Sequence, residues 1–130
     1  MTASQTLRRA FLCNGVFSLL SGATFLLAGD TLAVAAGLPG GLPLRIVGSG
    51  LLPFGAFLLW LSRRETLHAR DGRAISLCDL LWVLGTAVVL LGWPELMNAT
   101  GQGVAIAIAG VVAGFAAWQW AGAKRIVAAA

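Results

Sequence analysis

Four long stretches of the chain are almost free of charge: residues 10–29, 44–62, 76–93 and 103–122, which between them carry only Arg45 and Asp79. Each is about 18 to 20 residues long, and at ~1.5 Å per helical residue that matches the hydrocarbon thickness of a bilayer. Every backbone polar group crossing lipid must be satisfied within its own segment, so such stretches read as transmembrane helices. Hydrophobic residues make up 58% of the chain and charged residues 11%, where a soluble domain carries about a quarter charged. The 130 residues leave no room for a second domain. The expected fold is all-α: one transmembrane domain over residues 1–130, a four-helix bundle.

Basic residues set the expected orientation. Arg8 and Arg9 precede the first span, Arg63, Arg64, Arg70 and Arg73 lie between the second and third, and Lys124 and Arg125 follow the fourth. The other two connections hold only Arg45, against Asp30 and Glu95. This asymmetry predicts both termini and the middle connection on the cytoplasmic side, in a bacterial-type cytoplasmic (inner) membrane. The high pI of about 10.6 then reports orientation and attraction to anionic lipid, not nucleic-acid binding. "RRAFL" resembles part of a twin-arginine export signal. Leu7 replaces its hydroxyl residue, however, and the apolar run that follows is too long, so a retained first helix is expected.

An internal repeat is visible at low resolution. Shifting the first span by half the chain places Leu12 on Leu77, Cys13 on Cys78, Asn14 on Asp79, Phe17 on Trp82 and Ser21 on Thr86. At a slightly shorter offset, Gly50 falls on Gly110 and Trp60 on Trp120. Units 1–65 and 66–130 would then be two hairpins in parallel orientation, related by a pseudo-twofold axis that places equivalent residues face to face.

Small residues mark the expected packing faces. Gly101, Ala105, Ala109, Ala113, Ala117 and Ala121 recur every four residues along the fourth span, beside the GxxxG of Gly110 and Gly114. Ala10, Asn14, Ser18 and Gly22 form a shorter stripe on the first. Such ridges allow close helix approach where lipid removes the hydrophobic driving force. In the second span, Pro53 removes a backbone donor and frees the carbonyl of Ser49. That pair is a candidate hinge, set against a tolerated kink, and Gly48, Gly50 and Gly55 are read as softening the same region.

Polar residues within spans are functional candidates by default. Asn14, Ser18, Asp79 and Gln119 fall at similar depth and form the candidate ligand site. The competing reading makes Asp79 part of a helix start: Ser76-x-x-Asp79 is a capping-box variant. Arg45 is expected to reach outward toward Asp30 or Glu95. Cys13 and Cys78 read as packing residues, and with the lone His68 they are too few for a metal site. No nucleophile–base pair, HExxH, phosphate loop or neighbouring carboxylate pair occurs. No catalytic residue, metal or cofactor is therefore assigned, and enzymatic activity is not expected.

Two functions fit. The first is a non-enzymatic accessory or scaffolding subunit that associates through small-residue helix faces, as a homo-oligomer or within a larger membrane complex. The second is a small oligomeric channel or transporter with a polar site around Asp79 and Asn14. Membrane lipid is a partner in both.

Overall fold

The computed structural model describes residues 1–130 and contains helices and no strand. The helices are α1 (Ala3–Leu27), α2 (Gly29–Ala36), α3 (Leu42–Arg63), α4 (Ala69–Gly92) and α5 (Ala99–Ala129), with one 3₁₀ turn at Pro94–Leu96. All but α2 are long and apolar enough to cross a membrane. The chain is thus a four-span helical bundle, with α2 folded into the connection after α1.

The helices outrun the apolar stretches. α1 starts at Ala3 rather than residue 10, α4 at Ala69 rather than residue 76, and α5 covers Ala99–Ala129 rather than 103–122. Hydropathy marks only hydrocarbon depth, whereas helical hydrogen bonding continues wherever a cap closes it. For α1 the closure is a full capping box, with Gln5 N–H donating to Thr2 and the Gln5 side chain accepting from Thr2 N–H. For α4 the cap position is His68. The Ser76-x-x-Asp79 box is therefore a misreading: both residues are inside α4, and the Ser76 hydroxyl donates to the Ala116 carbonyl of α5 at 2.8 Å.

The bundle is built inside out relative to a soluble protein. Its buried polar set is Thr6, Asn14, Ser18, Ser62, Ser76, Asp79 and Gln119, while large apolar side chains such as Leu12, Leu20, Leu81, Leu84, Ile106 and Val111 are exposed. Lipid covers the apolar exterior, so helix association rests on close packing and interior hydrogen bonds.

Close packing is most explicit between α1 and α3. A Cβ placed on Gly48 would stand 2.7 Å from the Gly22 carbonyl oxygen, and one on Gly55 would stand 2.9 Å from that of Gly15. The two antiparallel helices thus touch through glycine at both Gly15–Gly55 and Gly22–Gly48. Gly48 and Gly55 are contact residues rather than softeners of a hinge. α3 runs unbroken through Pro53, which is exposed. Ser49 hydrogen-bonds the Arg45 carbonyl one turn back, at 2.8 Å. The Ser49–Pro53 segment is a helix with a missing hydrogen bond, not a break.

The first-span stripe is buried as expected, at Ala10, Asn14, Ser18 and Gly22. The fourth-span ridge is not one contact face. Gly101 packs against Ala36, and Ala105, Ala109 and Ala113 are half-buried, but Ala117, Ala121, Gly110 and Gly114 are exposed. Four residues overshoot one helical turn by about 40°, so an every-fourth-residue stripe rotates by roughly 200° between Gly101 and Ala121. The face of α5 turned into the bundle carries Gly101, Val112, Ala116, Gln119, Gly122 and Ala123.

The helices pack in the spatial order α3–α1–α5–α4; α3 and α4 make no extensive contact. A true pseudo-twofold pairing of the two hairpins would make the α3–α4 contact equivalent to α1–α5. That symmetric interface is absent, and the halves meet through α1 and α5. At the end bearing both termini the bundle is filled by Leu7, Phe11, Leu58, Leu61, Leu67 and Ile75. Arg8 there donates to the carbonyls of Ser62 and Arg64, closing the α3 C-terminus, and Arg125 donates to Thr6 at 3.2 Å. At the opposite end Arg45 pairs with Asp30 of α2, one of its two expected partners. Between the packed end and that far end, α3 and α4 stand apart, without extensive contact.

A candidate ligand site between α3 and α4

This separation leaves a cavity of about 360 Å³. α1 supplies Asn14, Phe17, Ser18, Ser21 and Phe25 to its wall, α3 supplies residues from Ile46 to Phe54, α4 supplies Cys78, Asp79 and Trp82, and α5 supplies Ile108 and Val112. A second cavity of about 210 Å³ continues toward α2 and shares Phe25, Val47, Trp82 and Ile108 with the first. The two cavities lie on either side of these shared residues, one at the α2 end and one at Asn14, Ser18 and Asp79. Below them lies the packed terminal end. The first volume sits at the lower end of the range for small-molecule pockets, roughly 300–1,000 Å³, and the second falls below it.

The polar floor is assembled from two helices. Asn14 Nδ2 donates to Asp79 Oδ2 at 2.8 Å, and the Ser18 hydroxyl donates to Asn14 Oδ1 at 3.3 Å. Asn14 and Ser18 share a face of α1 because they are four residues apart. Asp79 faces them because α4 turns Gly72, Ile75, Ser76 and Asp79 inward together. Asp79 lies ten residues into α4, about 15 Å along the axis at ~1.5 Å per residue. It is 4% exposed. It is this burial inside the bundle, not its distance along the helix, that makes an ionised carboxyl costly here.

Asp79 has no basic partner. The ion pairs of the chain are Arg45–Asp30, Arg64–Asp71 and Arg70–Asp71, and no Lys, Arg or His lines either cavity. Gln119 lies next to Asp79 and is fully buried, yet neither atom of its amide has a hydrogen-bond partner. The four candidate residues thus come together, with Asn14, Ser18 and Asp79 hydrogen-bonded and Gln119 adjacent. No group of three or more His, Cys, Asp or Glu side chains does so. The site's chemistry is therefore hydrogen bonding and charge.

Sequence reasoning missed the aromatic wall. Phe17, Phe25, Phe54 and Trp82 surround the space above the polar floor, and Phe17 also packs on Phe115 with centroids 5.6 Å apart. The signal was present: Asn14, Phe17, Ser18, Ser21 and Phe25 follow helical spacing on one face, and Asp79 and Trp82 are three apart on another. Trp82 lines both cavities. Cys13 and Cys78 are free and exposed, so they are not buried packing residues; Cys78 borders the cavity. Comparison with protein-family models, curated proteins and solved structures finds no match to this chain.

Proposed function

We propose that this protein is a small, non-enzymatic integral membrane protein that binds and moves a small membrane-soluble ligand, using the cleft between α3 and α4. One observation carries the reading: a buried carboxylate without a counter-charge, held by Asn14 at the floor of an aromatic-walled cavity. Burial of an ionisable group without a basic partner costs stability, and such groups in a cleft mark candidate binding sites. The gap between α3 and α4 gives lateral access from lipid. In the orientation that the basic residues favour, in a bacterial cytoplasmic membrane, the filled end faces the cytoplasm and the α2 end faces outward.

The test uses the two cysteines as site and control in the purified full chain, reconstituted in lipid nanodiscs. Both lie near the middle of their helices and both are exposed, but only Cys78 borders the cavity. Addition of 4-methylbiphenyl, an apolar probe small enough for the space, is expected to slow N-ethylmaleimide alkylation of Cys78 severalfold and leave Cys13 unchanged. Equal rates at Cys78 with and without saturating probe, for this probe and for charged analogues of its shape, would end the ligand-site reading.

A second reading, association with further copies or a larger complex, is supported by the outer face of α5. Gly103, Ala107, Gly110, Gly114, Ala117 and Ala121 are all exposed and alternate four and three residues apart, which holds them on one stripe. Gly103, Gly110 and Gly114 have open space where a side chain would stand. Replacing Gly114 by Leu is expected to lower the mass of any complex purified in mild detergent while leaving the fold intact; an unchanged mass removes this reading.

A further inference from the structure

Resting on the ligand-site reading, we infer that the ligand is a lipophilic organic cation, bound with its charge at Asp79 and its apolar body between Phe17, Phe25, Phe54 and Trp82. Three observations converge. Asp79 is the only ionisable acid or base in the wall of either cavity, apart from the Cys78 thiol, so the site presents one acidic group and nothing basic. That carboxyl is buried, with Asn14 donating to one of its two oxygens and the Gln119 amide beside it, and no charged group among its neighbours. The space beside it is walled by aromatic rings, whose faces attract cations.

A buried charge is tolerated when a partner of opposite sign is supplied. The helices supply none at Asp79, so a bound cation is the partner that would let this carboxyl carry its charge. Aromatic faces and a carboxylate both repel an anion, which excludes acidic ligands. A neutral ligand would fill the apolar wall but gain nothing from the ionised form of Asp79. The adjoining space toward α2, lined by Leu32, Leu38, Leu44 and Val104, adds room for an apolar extension. The ligand is accordingly amphiphilic, with a compact cationic end and an apolar remainder.

Three probes of one shape and different charge separate this inference from the reading on which it rests. They are N-methyl-4-phenylpyridinium, 4-methylbiphenyl and biphenyl-4-carboxylate, each scored by protection of Cys78 against alkylation with Cys13 as internal control. The cation is expected to protect at a concentration lower than either analogue by about tenfold or more. In Asp79→Asn that preference is expected to vanish while 4-methylbiphenyl still protects; Asp79→Glu keeps it. Gly50→Phe, which fills the cavity from a position with open space around it, abolishes protection by all three.

Equal protection by the cation and its neutral isostere in the wild-type chain overturns the cation inference and leaves the ligand site standing. Protection by none overturns both. Preference for the cation that survives Asp79→Asn overturns the assignment to Asp79. The wild-type comparison decides by itself should Asp79→Asn fail to fold. Nanodiscs of phosphatidylglycerol alone, against nanodiscs with added phosphatidylethanolamine, distinguish a free amine from an amine-headed lipid. Protection of Cys78 by the second lipid without probe identifies the headgroup as the source.

Discussion

Asn14 and Asp79 stand 65 residues apart in the chain and are joined by a 2.8 Å hydrogen bond inside the bundle. The bond links α1 to α4, two helices that otherwise touch little. It therefore ties the two hairpins together at the floor of the cavity. A double-mutant cycle with Asn14→Ala and Asp79→Ala is expected to give a coupling energy of about 1–2 kcal/mol, above the average for interhelical bonds in membranes because the acceptor is a carboxylate. Reversible unfolding in micelles measures it. Additive single-mutant effects would mean that the bond contributes nothing to the fold.

Asp79→Asn separates the geometry of this contact from its charge. An amide at position 79 can still accept from Asn14 Nδ2, but it no longer places an uncompensated ionisable group in the span. The variant is expected to unfold at the same denaturant concentration as wild type or a higher one, with a gain of up to ~1 kcal/mol. A site held for function commonly costs stability in this way. Loss of stability equal to that of Asp79→Ala would instead make the carboxylate a structural element of the bundle.

The α1–α3 interface gives a sharp contrast within one helix. Gly48 meets the Gly22 carbonyl so closely that any Cβ must displace backbone, whereas Gly50, two residues on, has nothing within 4 Å. Gly48→Ala is expected to destabilise by about 1–3 kcal/mol, the usual cost of forcing an extra carbon into a filled contact. Gly50→Ala is expected to be neutral or slightly stabilising, through better helix propensity. Thermal unfolding of both variants in one detergent tests the pair; similar losses would show that helix propensity, not the glycine contact, sets the outcome.

The four spans were legible because lipid imposes length and apolarity on a helix directly, and the depth match of Asn14, Ser18, Asp79 and Gln119 followed from those spans. Helix ends were not legible, since the backbone remains helical beyond the apolar stretch. That single error placed Asp79 in a first turn and made its burial look ordinary. The α5 ridge was misread for another reason: a four-residue period drifts around the helix, so the string of small residues did not say which of them face inward. α2 was invisible as a helix because its eight residues, Gly29–Ala36, are too few to show a period. The cleft itself depends on α3 and α4 standing apart, and no local pattern encodes a gap.

Asn98 holds the far end of that cleft. Its side-chain oxygen accepts from Gly101 N–H at 2.9 Å, capping α5, while its Nδ2 donates to the Ala35 carbonyl at 2.9 Å and its backbone N–H to that of Ala36 at 2.8 Å. The two bonds to Ala35 and Ala36 fasten α2 to the start of α5, where Ala35, Ala36, Met97, Thr100 and Gly101 line the outer cavity. Gly37 ends α2 in the left-handed region, at φ 75°, directly against Asn98. Asn98→Ala removes the cap and one strap, for an expected loss of about 1–2 kcal/mol. Asn98→Asp keeps the cap and loses only the donor to Ala35, so it is expected to fall between Ala and wild type. Amide exchange should accelerate most over α2 and the first turn of α5, with the α1–α3 glycine contacts unaffected. Exchange rising evenly along all the helices would show that Asn98 supports the whole bundle and not the outer end of the cleft.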